Sequence, residues 1–189
     1  MDKKALRAEI RRRKAGYTPA ELAAMSRKIC DSILDDGVFW ASHYILFYSP
    51  LPDEVDVTPL ISTAFNAGKT VLLPVVDGEN LVLKRFSGFS AMTTGSFNIS
   101  EPTGVIFPRS DYHKIDLAII PGMAFDHLRN RLGRGKGYYD RLLPYLPNTY
   151  KMGICFDFQY LDEIPSEVWD IKMDEVITDY NKGVIYIGK

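Results

Sequence analysis

The apolar run Tyr44-Ile45-Leu46-Phe47-Tyr48 decides the fold, because it is continuous and closes at Ser49-Pro50. A strand with one face in water alternates apolar and polar residues, whereas a strand buried on both faces is apolar throughout. The run therefore predicts an inner strand of a sheet that is covered on both sides. Residues 115–120, which end at Pro121-Gly122, show a similar pattern.

Helices and further strands are predicted around this run. Thr18-Pro19-Ala20-Glu21 is a capping box with proline in the first turn, which predicts that a helix begins there. Another helix is expected from Thr58-Pro59 to Gly68. The sequence also predicts an amphipathic helix over 2–15 and a long irregular segment over 87–110. Further strands are predicted over 71–76, 81–86, 152–156, 174–178 and 183–188.

This alternation predicts an α/β fold of three layers, with a mostly parallel sheet, helices on both faces and right-handed crossovers. In such folds, ligands bind outside the carboxyl ends of the strands. We therefore expect the chemistry in the loops after Tyr48 and Ile120.

Length and composition predict one soluble domain over residues 1–189. The net charge is −1, and 46% of the residues are hydrophobic. A chain of this length buries roughly 70% of its unfolded surface and needs no disulfide or structural metal. Cys30 and Cys155 are far apart in apolar surroundings, which indicates buried free thiols in a reducing compartment. No segment resembles a signal peptide or a membrane span, so we expect a cytoplasmic protein without a membrane partner.

Positive charge is concentrated in two places. Residues 1–14 hold seven basic side chains against two acidic ones, and a second cluster comprises Arg129, Arg131, Arg134, Lys136 and Arg141. Two separated clusters on a slightly acidic chain favour a small polyanionic ligand over nucleic acid. A solvated helix face remains the alternative for the first cluster.

The second cluster lies in a glycine loop, Arg131-Leu132-Gly133-Arg134-Gly135-Lys136-Gly137-Tyr138-Tyr139-Asp140-Arg141. Alternating glycines permit positive φ and bring successive N–H groups close to an anion. The spacing matches neither the P-loop nor the dinucleotide fingerprint. The loop predicts phosphate binding, with a flexible surface loop as the alternative.

Carboxylates near these loops are candidates for binding. Asp140 falls in the first turn of the short helix that follows the glycine loop, where it could be a Mg²⁺ ligand or a helix cap. Asp174 could supply a second Mg²⁺ ligand. Glu54 could accept hydrogen bonds from a heterocycle, or be a solvated loop acid. No serine or cysteine has the setting of a nucleophile. The residues therefore favour catalysis by positioning and electrostatics.

The segment from Pro121-Gly122-Met123-Ala124-Phe125-Asp126 to the glycine loop closely resembles the signature of the 5-formyltetrahydrofolate cyclo-ligase family. Similarity extends to Lys3-Lys4-Ala5-Leu6-Arg7, Asp53-Glu54-Val55-Asp56 and Met173-Asp174-Glu175-Val176. One departure is residues 126–130, which replace a turn that usually contains glycine.

The resemblance implies conversion of 5-formyltetrahydrofolate to 5,10-methenyltetrahydrofolate, with ATP as co-substrate and Mg²⁺ as cofactor. It also implies a fold akin to the ribose-phosphate isomerase and CoA-transferase group. We expect small-molecule substrates, no nucleic acid, and a monomer. The alternatives are an RNA-binding module that uses both basic clusters, and a sugar-phosphate isomerase or CoA transferase on a similar sheet.

The resemblance also implies roles for individual residues. Those implied for ATP binding are Lys3, Lys4, Arg7, Arg131, Gly133, Arg134, Gly135, Lys136, Gly137, Tyr138 and Tyr139. Those implied for the folate substrate are Ser49, Glu54, Arg134, Gly135, Lys136, Gly137 and Tyr138. Arg134, Lys136 and Tyr138 would be catalytic, and Asp140 and Asp174 would bind Mg²⁺. We hypothesise that the N-terminal helix folds over the nucleotide held by the glycine loop.

Overall fold

The computed structural model describes residues 2–95 and 100–180. Its helices are α1 (Lys3–Lys14), α2 (Pro19–Leu34), α3 (Gly37–Ala41), α4 (Thr58–Asn66) and α5 (Tyr138–Leu142). Its strands are β1 (Tyr44–Leu46), β2 (Thr70–Asp77), β3 (Asn80–Arg85), β4 (Met92–Thr94), β5 (Ser100–Pro102), β6 (Ile106–Phe107), β7 (Leu117–Pro121), β8 (Ala124–Asp126), β9 (Arg131–Leu132), β10 (Tyr150–Ile154), β11 (Tyr160–Leu161) and β12 (Glu175–Ile177). Within these ranges, no helix has the length and apolarity needed to cross a bilayer.

A seven-stranded sheet forms the centre of the molecule, in the order β12-β10-β7-β1-β2-β3-β6. The strands from β12 to β2 are parallel, and β3 and β6 add an antiparallel edge. From β1 the chain proceeds to β2 on one side and later returns to β7 on the other. The pair β1 and β7 is therefore the topological switch point, where open α/β sheets bind their ligands.

Apolar layers cover both faces of the sheet. Ile45 and Phe47 pack with Leu60 on the face covered by α2, α3 and α4. Leu46 points to the opposite face and packs in the cluster that contains Leu142 of α5. Successive strand residues point to opposite faces, so β1 is buried on both sides. The predicted three-layer α/β fold is confirmed, although the second face is covered by one short helix and 3₁₀ turns.

A small second sheet supports α1. Its strands lie in the order β11-β8-β9, and Leu6 and Ile10 of α1 pack against Met123 and Leu132. Leu6 and Ile10, which lie four residues apart, form the narrow apolar face from which the amphipathic helix was predicted. The small sheet was not predicted, because strands of two or three residues show no measurable periodicity.

Most predicted elements are present with shifted ends. The capping box of α2 is formed by Thr18 and Glu21. Strands β2 and β3 form the expected hairpin around Gly78-Glu79, with φ of +60° at Gly78. The predicted strand 152–156 instead begins at Tyr150, because residues 150–154 pair along the whole of β7. The predicted strand 183–188 lies outside the described residues.

The turn that departs from the family pattern has a left-handed residue. Arg129 takes a φ of +66°, and its N–H donates to the Asp126 carbonyl over 2.8 Å. Buried Asp126 also accepts hydrogen bonds from Asn130. Because these contacts hold the turn, a non-glycine residue occupies a conformation that costs roughly 1–2 kcal/mol.

Candidate active site

A cavity of about 430 Å³ lies at the carboxyl ends of β1 and β7, the switch point of the sheet. Leu51 and Glu54 reach it from the loop after β1, and Pro121 and Gly122 from the end of β7. The complete lining is Arg11, Leu51, Glu54, Pro121, Gly122, Arg131, Gly133, Arg134, Lys136, Gly137, Tyr138, Tyr139 and Asp140. The two loops expected to carry the chemistry therefore meet in one site.

The glycine loop adopts the backbone that its sequence predicts. Gly135 has a φ of +99° and Gly137 a φ of +70°, and α5 begins directly after Gly137. Gly133 has no positive φ, but a Cβ atom there would lie 3.0 Å from a guanidinium nitrogen of Arg131, so the Arg131 side chain would have to shift by a few tenths of an ångström. The loop can therefore bring N–H groups and cations to the same anion.

Helix α1 contacts this loop directly. Arg7 Nε donates to the Gly133 carbonyl over 2.7 Å, and Arg11 lines the cavity. Lys3 instead pairs with Asp170 over 3.0 Å, and Lys4 is exposed. Of the basic residues implied for ATP at this helix, the structure brings only Arg7 to the loop, and sequence reasoning missed Arg11.

Glu54 is bound to the glycine loop through Arg134. Its side chain is only 11% exposed, and Oε1 accepts from Arg134 Nε over 2.8 Å. Glu54 Oε2 accepts from the Leu51 N–H over 3.1 Å. Arg134 Nη2 also donates to Asp53 over 2.7 Å. The residue proposed for the heterocycle and a residue proposed for phosphate are therefore in direct contact.

Two tyrosines, Tyr138 and Tyr139, line the cavity. Burial raises the pKa of the Tyr139 phenol, and the nearby Glu54 charge raises it further. Arg131 stacks over Tyr139 with its guanidinium carbon 5.3 Å from the ring centre, and Arg141 stacks over Tyr138 at 5.5 Å. The raised pKa keeps the Tyr139 phenol protonated, which disfavours it as a base.

Ser49 lies apart from Glu54. It lines a second cavity of about 270 Å³ with Pro50, Thr58, Ile61, Leu73, Phe89, Met92 and Ser100. Its Oγ is buried without a hydrogen-bond partner among the described residues. The family resemblance implies that Ser49 and Glu54 share one pocket, whereas the structure places them in neighbouring cavities.

The two carboxylates implied for Mg²⁺ have different surroundings. Asp140 lines the cavity, is 64% exposed and pairs with Arg131. Asp174 Oδ2 accepts from the Lys151 N–H over 2.7 Å, at a position three residues, or about 10 Å of strand, before the carboxyl end of β10. Across residues 2–95 and 100–180, no three His, Cys, Asp or Glu residues converge on a metal position. Mg²⁺ typically takes one or two carboxylates together with water and substrate phosphates, and of Asp140 and Asp174 it is Asp140 that lines the cavity.

Comparison with known proteins identifies relatives across almost the whole chain. The model of the 5-formyltetrahydrofolate cyclo-ligase family matches residues 1–179. The Escherichia coli 5-formyltetrahydrofolate cyclo-ligase is 29% identical over 174 residues, which cover 89% of this chain and 96% of that protein. The Mus musculus 5-formyltetrahydrofolate cyclo-ligase is 28% identical over 187 residues, covering 93% of this chain and 92% of that protein.

Solved structures agree with this assignment. The Aquifex aeolicus 5,10-methenyltetrahydrofolate synthetase is similar with a TM-score of 0.87 and 32% identity, covering all of this chain and 95% of that one. The Mycoplasma pneumoniae 5,10-methenyltetrahydrofolate synthetase shares the fold with a TM-score of 0.75 at 24% identity, covering 95% of this chain and 99% of that one. The chain therefore belongs to the 5-formyltetrahydrofolate cyclo-ligase family.

Proposed function

We propose that this protein catalyses the ATP-dependent cyclisation of 5-formyltetrahydrofolate to 5,10-methenyltetrahydrofolate, with release of ADP and phosphate. The observation that carries the proposal is the contact between Arg134 and Glu54 in one cavity, over 2.8 Å. This contact joins an anion-binding glycine loop to a carboxylate that can accept hydrogen bonds from a pterin. The family membership of the chain supports the same reaction.

The reaction requires activation of an amide. Resonance in an N-formyl group makes the carbonyl carbon a poor electrophile for the second folate nitrogen. In the proposed path, the formyl oxygen attacks the γ-phosphorus of ATP and ADP departs. N10 then adds to the activated carbon and loses its proton, and the formyl oxygen leaves as part of phosphate. No protein nucleophile is required, which agrees with the residues of the cavity.

The chain's own residues position the two substrates. The glycine loop would hold the ATP phosphates through its backbone N–H groups, while Arg134 and Lys136 neutralise the phosphoryl oxygens. Glu54 would orient the pterin, and Tyr138 would border both substrates. Asp140 would hold a Mg²⁺ ion, which when bound supplies further neutralisation of phosphate charge. The implied roles of Ser49, Lys3, Lys4 and Asp174 stay predictions.

The alternative functions find no support in the comparisons. Several cations of the predicted RNA surface form ion pairs with carboxylates, which reduces the positive charge available to bind the phosphates of a nucleic acid. The pairs are Arg134 with Asp53 and Glu54, Arg131 with Asp140, and Arg12 and Arg13 with Glu9. Cytoplasmic location and a monomeric state also stay predictions.

The proposal is tested with purified protein, 5-formyltetrahydrofolate, Mg²⁺ and ATP, by following the near-ultraviolet absorbance of the methenyl product. We expect the absorbance to rise only when ATP is present. A rise without ATP would favour an isomerase or transferase. No rise, from folded protein that binds ATP, would refute the folate assignment.

A further inference from the structure

We infer that Asp53 is a positioning residue of this reaction: its carboxylate, anchored by buried Lys14, fixes the Arg134 guanidinium beside Glu54. The inference rests on the proposed function. The family resemblance implies no role for Asp53 or Lys14, and neither residue lines the main cavity.

Asp53 contacts a different cation with each carboxylate oxygen. Oδ1 accepts from Arg134 Nη2 over 2.7 Å, and Oδ2 lies 3.2 Å from Lys14 Nζ. Lys14 Nζ also donates to the backbone carbonyl of Asp53. Lys14 therefore holds both the backbone and the side chain of the residue that holds Arg134.

Lys14 is an unusual anchor, because its side chain is only 9% exposed. Lysine is almost never this buried unless it is paired. Burial lowers the pKa of Lys14, and the Asp53 charge opposes that effect. Burial alone would raise the pKa of Asp53, yet Lys14 and Arg134 together hold it below its usual value. The lowered pKa favours the carboxylate form of Asp53, which contacts Lys14 with one oxygen and Arg134 with the other.

The geometry leaves part of Arg134 available to substrates. A guanidinium has five N–H donors in a rigid fork. Asp53 and Glu54 take the donors on Nη2 and Nε, so three N–H groups are left over for formyl and phosphoryl oxygens. Because Glu54 is the proposed pterin acceptor, its bond to Arg134 is the one that substrate binding disturbs. Asp53 would then keep the guanidinium plane in place while Glu54 turns to the heterocycle.

A purely structural role makes a different prediction from a positioning role. Lys14 is the last residue of α1, so its bond to Asp53 also fastens that helix to the loop after β1. If the only function of Asp53 were to attach α1 to this loop, loss of its carboxylate would lower thermal stability and leave kcat of the folded protein unchanged. If Asp53 positions Arg134, kcat falls even in protein that is fully folded.

The first experiment measures kcat, both KM values and thermal melting for Asp53→Asn, Lys14→Met and Lys14→Arg. We expect kcat to fall about tenfold to a hundredfold in Asp53→Asn and Lys14→Met, with less than a threefold change in KM for 5-formyltetrahydrofolate. Lys14→Arg should retain most of the activity. Asp53→Asn leaves buried Lys14 without a carboxylate partner, so the double variant Lys14→Met with Asp53→Asn is measured as well, because it removes both charges.

A matched control lies on the same helix. Glu9 accepts hydrogen bonds from Arg12 and Arg13 but lies outside the cavity, so Glu9→Gln should keep kcat within twofold. A wild-type kcat in folded Asp53→Asn would overturn the inference.

The second experiment asks whether Asp53 acts through Arg134. In an Arg134→Ala background, Asp53→Asn should reduce kcat no further, since there is no guanidinium left to position. Losses that multiply would show that the two residues act independently and would overturn the inference. If the wild-type protein forms no ATP-dependent product, the proposed function and this inference are both rejected. If the wild type is active and folded Asp53→Asn has the same kcat, only the inference is rejected.

Discussion

Arg7 Nε donates to the backbone carbonyl of Gly133 over 2.7 Å, although 126 residues separate them in the chain. This bond attaches the first helix to the glycine loop. The sequence contained both basic clusters but did not show that they meet. Their contact supports the hypothesis that α1 folds over the nucleotide site.

Replacing Arg7 with alanine should raise the KM for ATP more than the KM for 5-formyltetrahydrofolate. A hydrogen bond from a charged donor contributes about 1.5–3 kcal/mol, and 1.4 kcal/mol corresponds to a tenfold change, so we expect a rise of about tenfold. Steady-state kinetics at varied ATP measure the effect. Arg12→Ala is the control, because the Arg12 side chain is 74% exposed on the same helix. Equal changes in both KM values would contradict the proposed role of Arg7.

Asp140 and Asp174 should respond differently to substitution. Asp140→Asn should raise the Mg²⁺ concentration for half-maximal activity by about tenfold, because Asp140, unlike Asp174, lines the cavity. Asp174→Ala should instead lower the free energy of unfolding by about 1–2 kcal/mol, since it removes the acceptor of the Lys151 N–H. Mg²⁺ titrations and urea unfolding of both variants separate the two effects. The reverse pattern would move the metal site to Asp174.

Gly137→Ala should impair ATP binding, whereas Gly78→Ala should affect stability alone. Both glycines have positive φ, +70° and +60°, so each substitution costs roughly 1 kcal/mol of stability. A Cβ atom at Gly137 would also lie 2.7 Å from Arg141 Nη1, whereas the space at Gly78 is open. The measurement is the dissociation constant of an ATP analogue, together with thermal melting. Unchanged nucleotide affinity in Gly137→Ala would argue against the loop as the phosphate site.

Stability should fall as the pH rises above about 9. Burial raises the pKa of the Cys30 thiol to about 12, and nearby Asp56 adds to the effect. Burial also raises the pKa of Tyr150 to about 12, with Glu175 nearby. Between the unfolded and folded pKa values, the native state retains protons that the unfolded chain loses. Each such group therefore lowers the free energy of unfolding by up to about 1.4 kcal/mol per pH unit in that window.

Urea unfolding of wild type and Cys30→Ala between pH 8 and 10.5 checks this dependence. The variant should show a shallower decline with pH, whatever its stability at neutral pH. Identical slopes would mean that the Cys30 thiol ionises in the folded protein. The same burial predicts slow alkylation of Cys30 and Cys155, which are both free and buried.

Local patterns in the sequence predicted the elements that depend on local physics. The apolar run at β1, the capping box at Thr18 and the alternating glycines each specify a conformation within a few residues, and the structure contains all three. The conformation of the turn at Arg129 was not predicted from the sequence, because its left-handed φ is stabilised by contacts to Asp126 and not by a glycine.

The composition of the site was decided by tertiary structure. Sequence reasoning selected Glu54 and Arg134 separately, but their contact crosses 80 residues and depends on β1 and β7 being neighbours. The same strand order leaves Ser49 in a second cavity and Asp174 beside Lys151. By itself the sequence determined which segments are buried strands, where helices begin and which loop has glycines with positive φ, because those properties follow from periodicity, caps and backbone freedom. Strand order and side-chain pairing arise from packing between distant segments, so only the tertiary structure could show which charged groups meet.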